Sequence, residues 1–179
     1  MEEVEKHYNN LAKVYEKRWR NYLVNTSKEI IKNLNLKSNL KIIDVACGTG
    51  FLIKKLLETN SKIEITGIDI SKEMISIAKK RFENNKNVTL IKANAEKFEV
   101  KGKFNILIFN SAMHYIKDIE DLIVKLKQLL SPNGCLIIVD WSKDPLLFKL
   151  LNLYWKFRIK AFKGIYNQNK IKKILTKNG

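Results

Sequence analysis

The chain has 179 residues and a mass of 20.9 kDa, enough for one domain that buries about 70% of its unfolded surface and too few for two ordinary ones. With 45% hydrophobic and 29% charged residues it is neither disordered nor fibrous, and no apolar run approaches the roughly 20 residues that a membrane-spanning helix needs. The net charge of +16 suggests a nucleic-acid binder, but only Arg18, Arg20, Arg81 and Arg158 among the 34 basic residues are arginine, the residue suited to bidentate phosphate and base contacts, so a solvated lysine-rich surface is the favoured reading.

The N-terminal MEEVEKHYNN is acidic and polar where a secretory leader would be basic and then apolar, which points to the cytoplasm. Val4, Tyr8, Leu11, Tyr15, Trp19 and Tyr22 recur at spacings of three and four and predict an amphipathic helix. A second helix is expected from Ser27 through Leu34. Lys41 to Ala46 is a short apolar run that stops at Cys47-Gly48-Thr49-Gly50, the pattern of a buried strand entering a glycine turn. Phe51, Leu52, Leu56 and Leu57 fit a helix, Ile63 to Ile68 a second strand ending at Asp69, and Ser71 an N-cap for a helix carrying Met74, Ile75, Ala78 and Phe82.

Val88 to Ile91 and Phe104 to Phe109 predict the third and fourth strands. Asp118 caps a helix with Leu122, Leu126 and Leu129 that ends at Ser131-Pro132-Asn133-Gly134, and Cys135 to Val139 is the fifth strand. Strands alternating with helices and no hairpin signal imply right-handed crossovers, a parallel sheet and helices on both faces. Asp144-Pro145 reads as an N-cap with proline at the first helical position. Cys47 and Cys135 match neither a disulfide framework nor a zinc spacing, so no metal site is expected.

In an open parallel sheet a ligand lies at the carboxyl ends of the strands. The first strand ends in Asp44-Val45-Ala46-Cys47-Gly48-Thr49-Gly50, where glycine admits close backbone approach. Asp69 ends the second, 19 residues after Gly50, where a carboxylate accepts hydrogen bonds from two ribose hydroxyls. Together they form a nucleoside signal. The third glycine of a dinucleotide turn is replaced by Ile53, and no Gly-Lys-Ser/Thr follows, so NAD fits poorly and a phosphate-binding loop is excluded. Asp44 would repel phosphates and favour a cation, which suits S-adenosyl-L-methionine, a sulfonium without phosphate.

At these motifs the chain resembles the class I S-adenosylmethionine-dependent methyltransferases, and among them the small-molecule branch that includes the ubiquinone and menaquinone C-methyltransferases. The resemblance runs from Tyr8 to Asp140 through IIDVACGTG, ITGIDIS, KANAEKF, FNILIFNSAMHYIKD and LLSPNGCLIIVDW. It implies a Rossmann-like, doubly wound, mainly parallel α/β sheet with helices on both faces and added N-terminal helices. It also implies a cofactor site that includes Asp44, Ala46, Cys47, Gly48, Gly50, Asp69, Ile70, Met74, Asn94, Ala95, Glu96, Asn110 and Ser111, with Tyr8 and Tyr15 closing over it. Asn94 stands where the family has aspartate, which predicts a weaker adenine contact, and Ala46 replaces the first glycine of the turn. The chain stops at Leu175-Thr176-Lys177-Asn178-Gly179, where similar sequences continue into two more strands. A fragment and a short form are both expected readings of that end.

His114 is the histidine near the expected site, and with an unperturbed pKa of about 6.5 it suits a general base, although an in-line methyl transfer rests mainly on positioning. The segment from Leu146 to Lys163 has a pattern shared by a packed helix, a lid and a membrane-surface helix. From Lys143 onward the chain holds ten basic side chains and one acid, Asp144, which suits an anionic membrane surface. The sequence thus predicts one methyltransferase-like domain: N-terminal helices over 1–36, a cofactor-binding core over 37–142 and basic amphipathic helices over 143–179. It would transfer a methyl group to a small, partly apolar acceptor. The alternatives are a nucleic-acid methyltransferase, against which the absence of Asn/Asp-Pro-Pro-aromatic after the fourth strand counts, and a non-catalytic cofactor-binding or membrane-associated module.

Overall fold

The computed structural model describes residues 1–37, 39–141 and 162–177. Strands β1 (Lys41–Val45), β2 (Glu64–Asp69), β3 (Val88–Lys92), β4 (Phe104–Asn110) and β5 (Leu130–Val139) form one sheet in the order β3-β2-β1-β4-β5, every pair parallel. The helices among the described residues are α1 (Glu2–Lys32), α2 (Phe51–Thr59), α3 (Lys72–Arg81), α4 (Ile119–Gln128) and α5 (Gln168–Lys177), with a 3₁₀ turn at Met113–Tyr115.

The central strands are apolar runs because both faces are covered. Ile43 and Val45 of β1 pack with Leu122, Ile123 and Leu126 of α4 and Ile174 of α5. Ile42 points the other way, against Leu52, Ile53 and Leu56 of α2, Ile75 of α3 and Ile30 of α1. Each such side chain contributes roughly 1.5–3 kcal/mol of burial. Strand order reverses on either side of β1, so the carboxyl ends of β1, β2 and β4 diverge into a crevice. That is the doubly wound architecture expected from the sequence.

Two local features differ from the sequence reading. The expected second helix from Ser27 is the continuation of α1, broken only at Trp19, whose φ of −109° and ψ of 16° bend the helix. The Trp19 indole packs there against Tyr22 and Trp141. The Ser131–Gly134 turn lies inside β5: Leu130 pairs with Phe104 and Cys135 with Ile106, the intervening residues bulging out with Asn133 at φ 61°. Among the described residues no strand pairs with the outer side of β5. The expected Asp144-Pro145 cap and most of the Leu146–Lys163 segment lie outside the described residues. Helix α5 turns Ile171, Ile174 and Leu175 to the core and leaves Lys170, Lys172, Lys173 and Lys177 exposed.

The caps follow the sequence. Ser71 Oγ accepts from Met74 N at 3.1 Å, and Asp118 Oδ1 accepts from Asp121 N at 3.2 Å. Ser71 also donates to Asn9 Oδ1 of α1 at 2.7 Å. Ser71→Ala is therefore expected to cost about 1 kcal/mol in urea denaturation, whereas a substitution at exposed Lys72 should leave the midpoint unchanged.

Candidate functional site

The chain leaves β1 through a turn whose backbone is unusual: Ala46, Gly48 and Gly50 have φ of 65°, 55° and 75°. Two glycines in this left-handed stretch serve different ends. A Cβ on Gly50 would lie 2.7 Å from Phe82 Cε2, so this glycine seats the turn against the end of α3. A Cβ on Gly48 would meet nothing nearer than Tyr15 Cε1 at 4.0 Å, so its backbone faces open space. Asp69 then locks the turn to β2, its Oδ2 accepting from Gly48 N and its Oδ1 from Ser71 N, each at 2.8 Å.

The crevice beside this turn spans about 610 Å³, counting its mouth open to solvent. Ten of the residues expected from sequence line it: Tyr8, Tyr15, Ala46, Gly48, Asp69, Ile70, Met74, Ala95, Asn110 and Ser111. Five stand outside its lining. Asp44 and Cys47 border a smaller adjoining cavity, Gly50 begins α2, and Asn94 and Glu96 brace the segment after β3. Asn94 Oδ1 accepts from Glu96 N at 2.8 Å, and Glu96 Oε1 accepts from Lys117 N at 3.0 Å. That bracing turns Ala93 and Ala95 toward the crevice. Sequence reasoning passed over Ala93, Ala112, Tyr115 and Ile116, small or apolar residues without a chemical signature.

Two buried carboxyls sit side by side here. Burial raises the Asp69 pKa to about 6, against the lowering effect of its backbone N–H donors. Burial, and secondarily the Asp69 charge, raises Asp44 to about 7. Asp44 is 2% exposed, and its Oδ2 has no hydrogen-bond partner among the described residues. The Cys47 thiol is pushed well above its ordinary value by burial, which makes it a poor nucleophile.

Helix α1 roofs the crevice and is pinned along its length. Glu5 pairs with Lys92 at 2.8 Å, Asn9 takes Ser71, Glu16 accepts from Thr49 Oγ1 at 2.5 Å and Arg81 at 2.6 Å, and Tyr22 meets Ser111 Oγ at 2.6 Å. Tyr8 stands edge-on to Tyr15 and Tyr115, 6.1 and 5.7 Å between ring centres. Burial raises the pKa of Tyr8 and Tyr15, so both stay protonated near neutrality. Glu16→Ala removes the acceptor shared by Thr49 and Arg81 and is expected to destabilise the fold by about 1 kcal/mol in urea. Thr49→Val in the Glu16→Ala background should then add less than it does alone.

Next to the crevice lies a second space of about 970 Å³, counting its opening to solvent, lined among the described residues by aromatic residues of α1, by His114 and Tyr115, and by Trp141 and Phe162. Tyr8, Tyr15, Ser111 and Tyr115 border both cavities. His114 lines this second space. It is 5% exposed, its Nδ1 lies 3.0 Å from Asp140 Oδ1, and its ring stacks on Trp141 with 5.6 Å between centres and a 6° tilt.

A glycine turn after β1 joined to a carboxylate at the end of β2 is the arrangement that a nucleoside ligand calls for in a doubly wound sheet. The chain belongs to the methyltransferase domain family, whose model matches residues 36–179, and S-adenosyl-L-methionine is the cofactor that goes with that family. It is 37% identical over 131 residues to a malonyl-[acyl-carrier protein] O-methyltransferase of Acetivibrio thermocellus, a match covering 73% of this chain and 44% of that protein. It is 26% identical to a demethylmenaquinone methyltransferase of Staphylococcus aureus, covering 94% of this chain and 73% of that one. The chain thus spans less than half the length of the first relative. Among solved structures, phosphoethanolamine N-methyltransferase 2 of Haemonchus contortus in complex with S-adenosyl-L-methionine shares the fold, with a TM-score of 0.72 and 23% identity over 87% of this chain and 36% of that one. No helix among the described residues is long and apolar enough to cross a membrane.

Proposed function

We propose that the chain binds S-adenosyl-L-methionine in the crevice at the ends of β1, β2 and β4 and transfers its methyl group to a small, partly apolar acceptor in the aromatic cavity. The observation that carries this reading is the contact between the two spaces, which share Tyr8, Tyr15, Ser111 and Tyr115.

The residues present fit the cofactor. Asp69 keeps acceptor capacity beyond the backbone N–H groups of Gly48, Ile70 and Ser71, which suits a ribose hydroxyl. Ile70, Met74, Ala93 and Ala95 supply an apolar slot for a purine. Gly48 offers open backbone, and the partnerless Asp44 oxygen answers a cationic ligand and would repel a phosphate. The cofactor supplies an electrophilic methyl group on a positive sulfur. The chain's task is to hold that group against the acceptor and keep water out, with α1 as the cover.

Calorimetric titration tests the reading directly. S-adenosyl-L-methionine is expected to bind and NAD and ATP to give no heat above dilution; preference for NAD or ATP, or no binding of the sulfonium, would overturn it.

A further inference from the structure

Helix α1 carries two cationic side chains to the second space. Val4, Tyr8 and Tyr15 line the crevice, whereas His7, Leu11 and Arg18 line the second space and stand outside the crevice. Intervals of four and seven residues stack those three along one stripe of the helix. Val14, an exposed apolar residue, falls on the same stripe. Leu11 and Val14 thus lie between an imidazole and a guanidinium.

The acids nearest to these cations in α1 are engaged elsewhere. Glu16 accepts from Thr49 and Arg81, and Glu5 pairs with Lys92. Arg18 makes no ion pair among the described residues, and its guanidinium carbon stands 5.9 Å from the centre of the Trp19 ring. Burial, and after it the Arg18 charge, holds the His7 imidazole below its ordinary value, so the two groups are near enough to oppose each other. Like charges turned toward one space repel, and an anionic oxygen set between them converts that repulsion into two attractions. The arginine fork is the group suited to a carboxylate or a phosphate.

The place of the pair in the site says which end of an acceptor it meets. On the methyl-transfer reading, the methyl group is delivered where the two spaces adjoin, at Tyr8, Tyr15, Ser111 and Tyr115. His7 and Arg18 line the second space alone. An acceptor that reacts at the junction therefore turns its other end to them.

We propose that His7 and Arg18 form an anion subsite for the acceptor, a molecule with an apolar body and, at the end away from the methylated atom, a carboxylate or a phosphate. The proposal rests on the methyl-transfer reading. No bond forms or breaks at the subsite. The charge orients the acceptor and discriminates against neutral and cationic analogues of the same shape, while Leu11, Trp19 and Tyr22 pack against its apolar body.

The test titrates hexanoate, hexyl phosphate, hexanol and hexylamine, which share a chain and differ in the head, into the protein with S-adenosylhomocysteine bound. Imidazole resonances of His7 report occupancy and ionisation together. One anion or both is expected to raise the His7 pKa and to bind about tenfold more tightly than hexanol, with hexylamine no better than hexanol; the tighter anion tells carboxylate from phosphate. Arg18→Gln should lose that tenfold preference and keep the native affinity for hexanol, which shows that the variant is folded. Lys17→Gln, at an exposed lysine outside the lining, should lose nothing, which separates the subsite from the general surface charge. Equal native affinity for hexanol and both anions, a His7 pKa unmoved by either anion, or the same loss in Lys17→Gln as in Arg18→Gln would overturn the inference and leave methyl transfer standing. Failure of the native protein to bind S-adenosylhomocysteine would overturn the methyl-transfer reading and, with it, the assignment of this subsite to an acceptor.

Discussion

Asp69→Ala is expected to weaken S-adenosyl-L-methionine binding about 10- to 100-fold in calorimetry, the equivalent of about 1.4–2.7 kcal/mol. Two losses combine. The ribose hydroxyls lose a charged acceptor, and the Gly48 and Ser71 N–H groups lose the oxygens that hold the turn against β2. The second loss makes Asp69→Asn no milder. An amide has one acceptor oxygen, so its NH₂ would be driven against one of those two N–H donors. Both variants should therefore bind poorly, and the alanine variant should also bring forward the urea midpoint because a buried N–H is left unpaired. An Asp69→Ala protein with native affinity would show that the ribose is held elsewhere.

The parts of this site that sequence displays are those whose chemistry is local. An apolar run that stops at glycine, and an acid at the end of the next run, mark strand ends without knowledge of the sheet, and Ser71 and Asp118 announce their helices by the donors they satisfy. The His114–Asp140 pair is not local. Its members lie 26 residues apart and meet only because β4 and β5 are adjacent and in the register that opposes Asn110 to Val139. The same holds for Glu16, Thr49 and Arg81, whose hydrogen bonds join α1, the glycine turn and α3. Helical periodicity places the aromatic stripe on one face of α1, but periodicity carries no information on whether two periodic stretches are one helix. That the helix runs on through Ser27 and bends at Trp19 instead becomes visible only in the dihedral angles. Bulging of the Ser131–Gly134 turn within β5 is hidden for a similar reason: its residues read as a turn, and only strand pairing on both sides makes them part of the strand.

Asp44 should set the pH dependence of both stability and binding, with opposite signs. Its pKa in the folded protein is raised from 3.8 to about 7, so its favourable contribution to folding is complete below about pH 4 and is lost as pH rises through about 7. The amide introduced by Asp44→Asn cannot ionise, but its N–H groups would be buried without a partner, at a cost of about 1–3 kcal/mol. Asp44→Asn is therefore expected to be the less stable protein near pH 4 and to gain on the native one as pH rises to 8, a swing on the order of 4 kcal/mol for a shift of about three pKa units. Ligand binding runs the other way. A cation is held by the ionised carboxylate, so native affinity for S-adenosyl-L-methionine should climb through pH 6–7, with Asp69 at about 6 contributing to the lower part of the rise. The Asp44→Asn variant should bind more weakly at pH 8 and keep only that lower part. Urea midpoints of the ligand-free proteins and calorimetric titrations, each taken from about pH 4.5 to 8 to bracket both raised carboxyls, separate the two effects. Parallel stability curves for the two proteins would mean that Asp44 is not the strained carboxylate, and the charge facing the sulfonium would have to be sought at Asp69 alone.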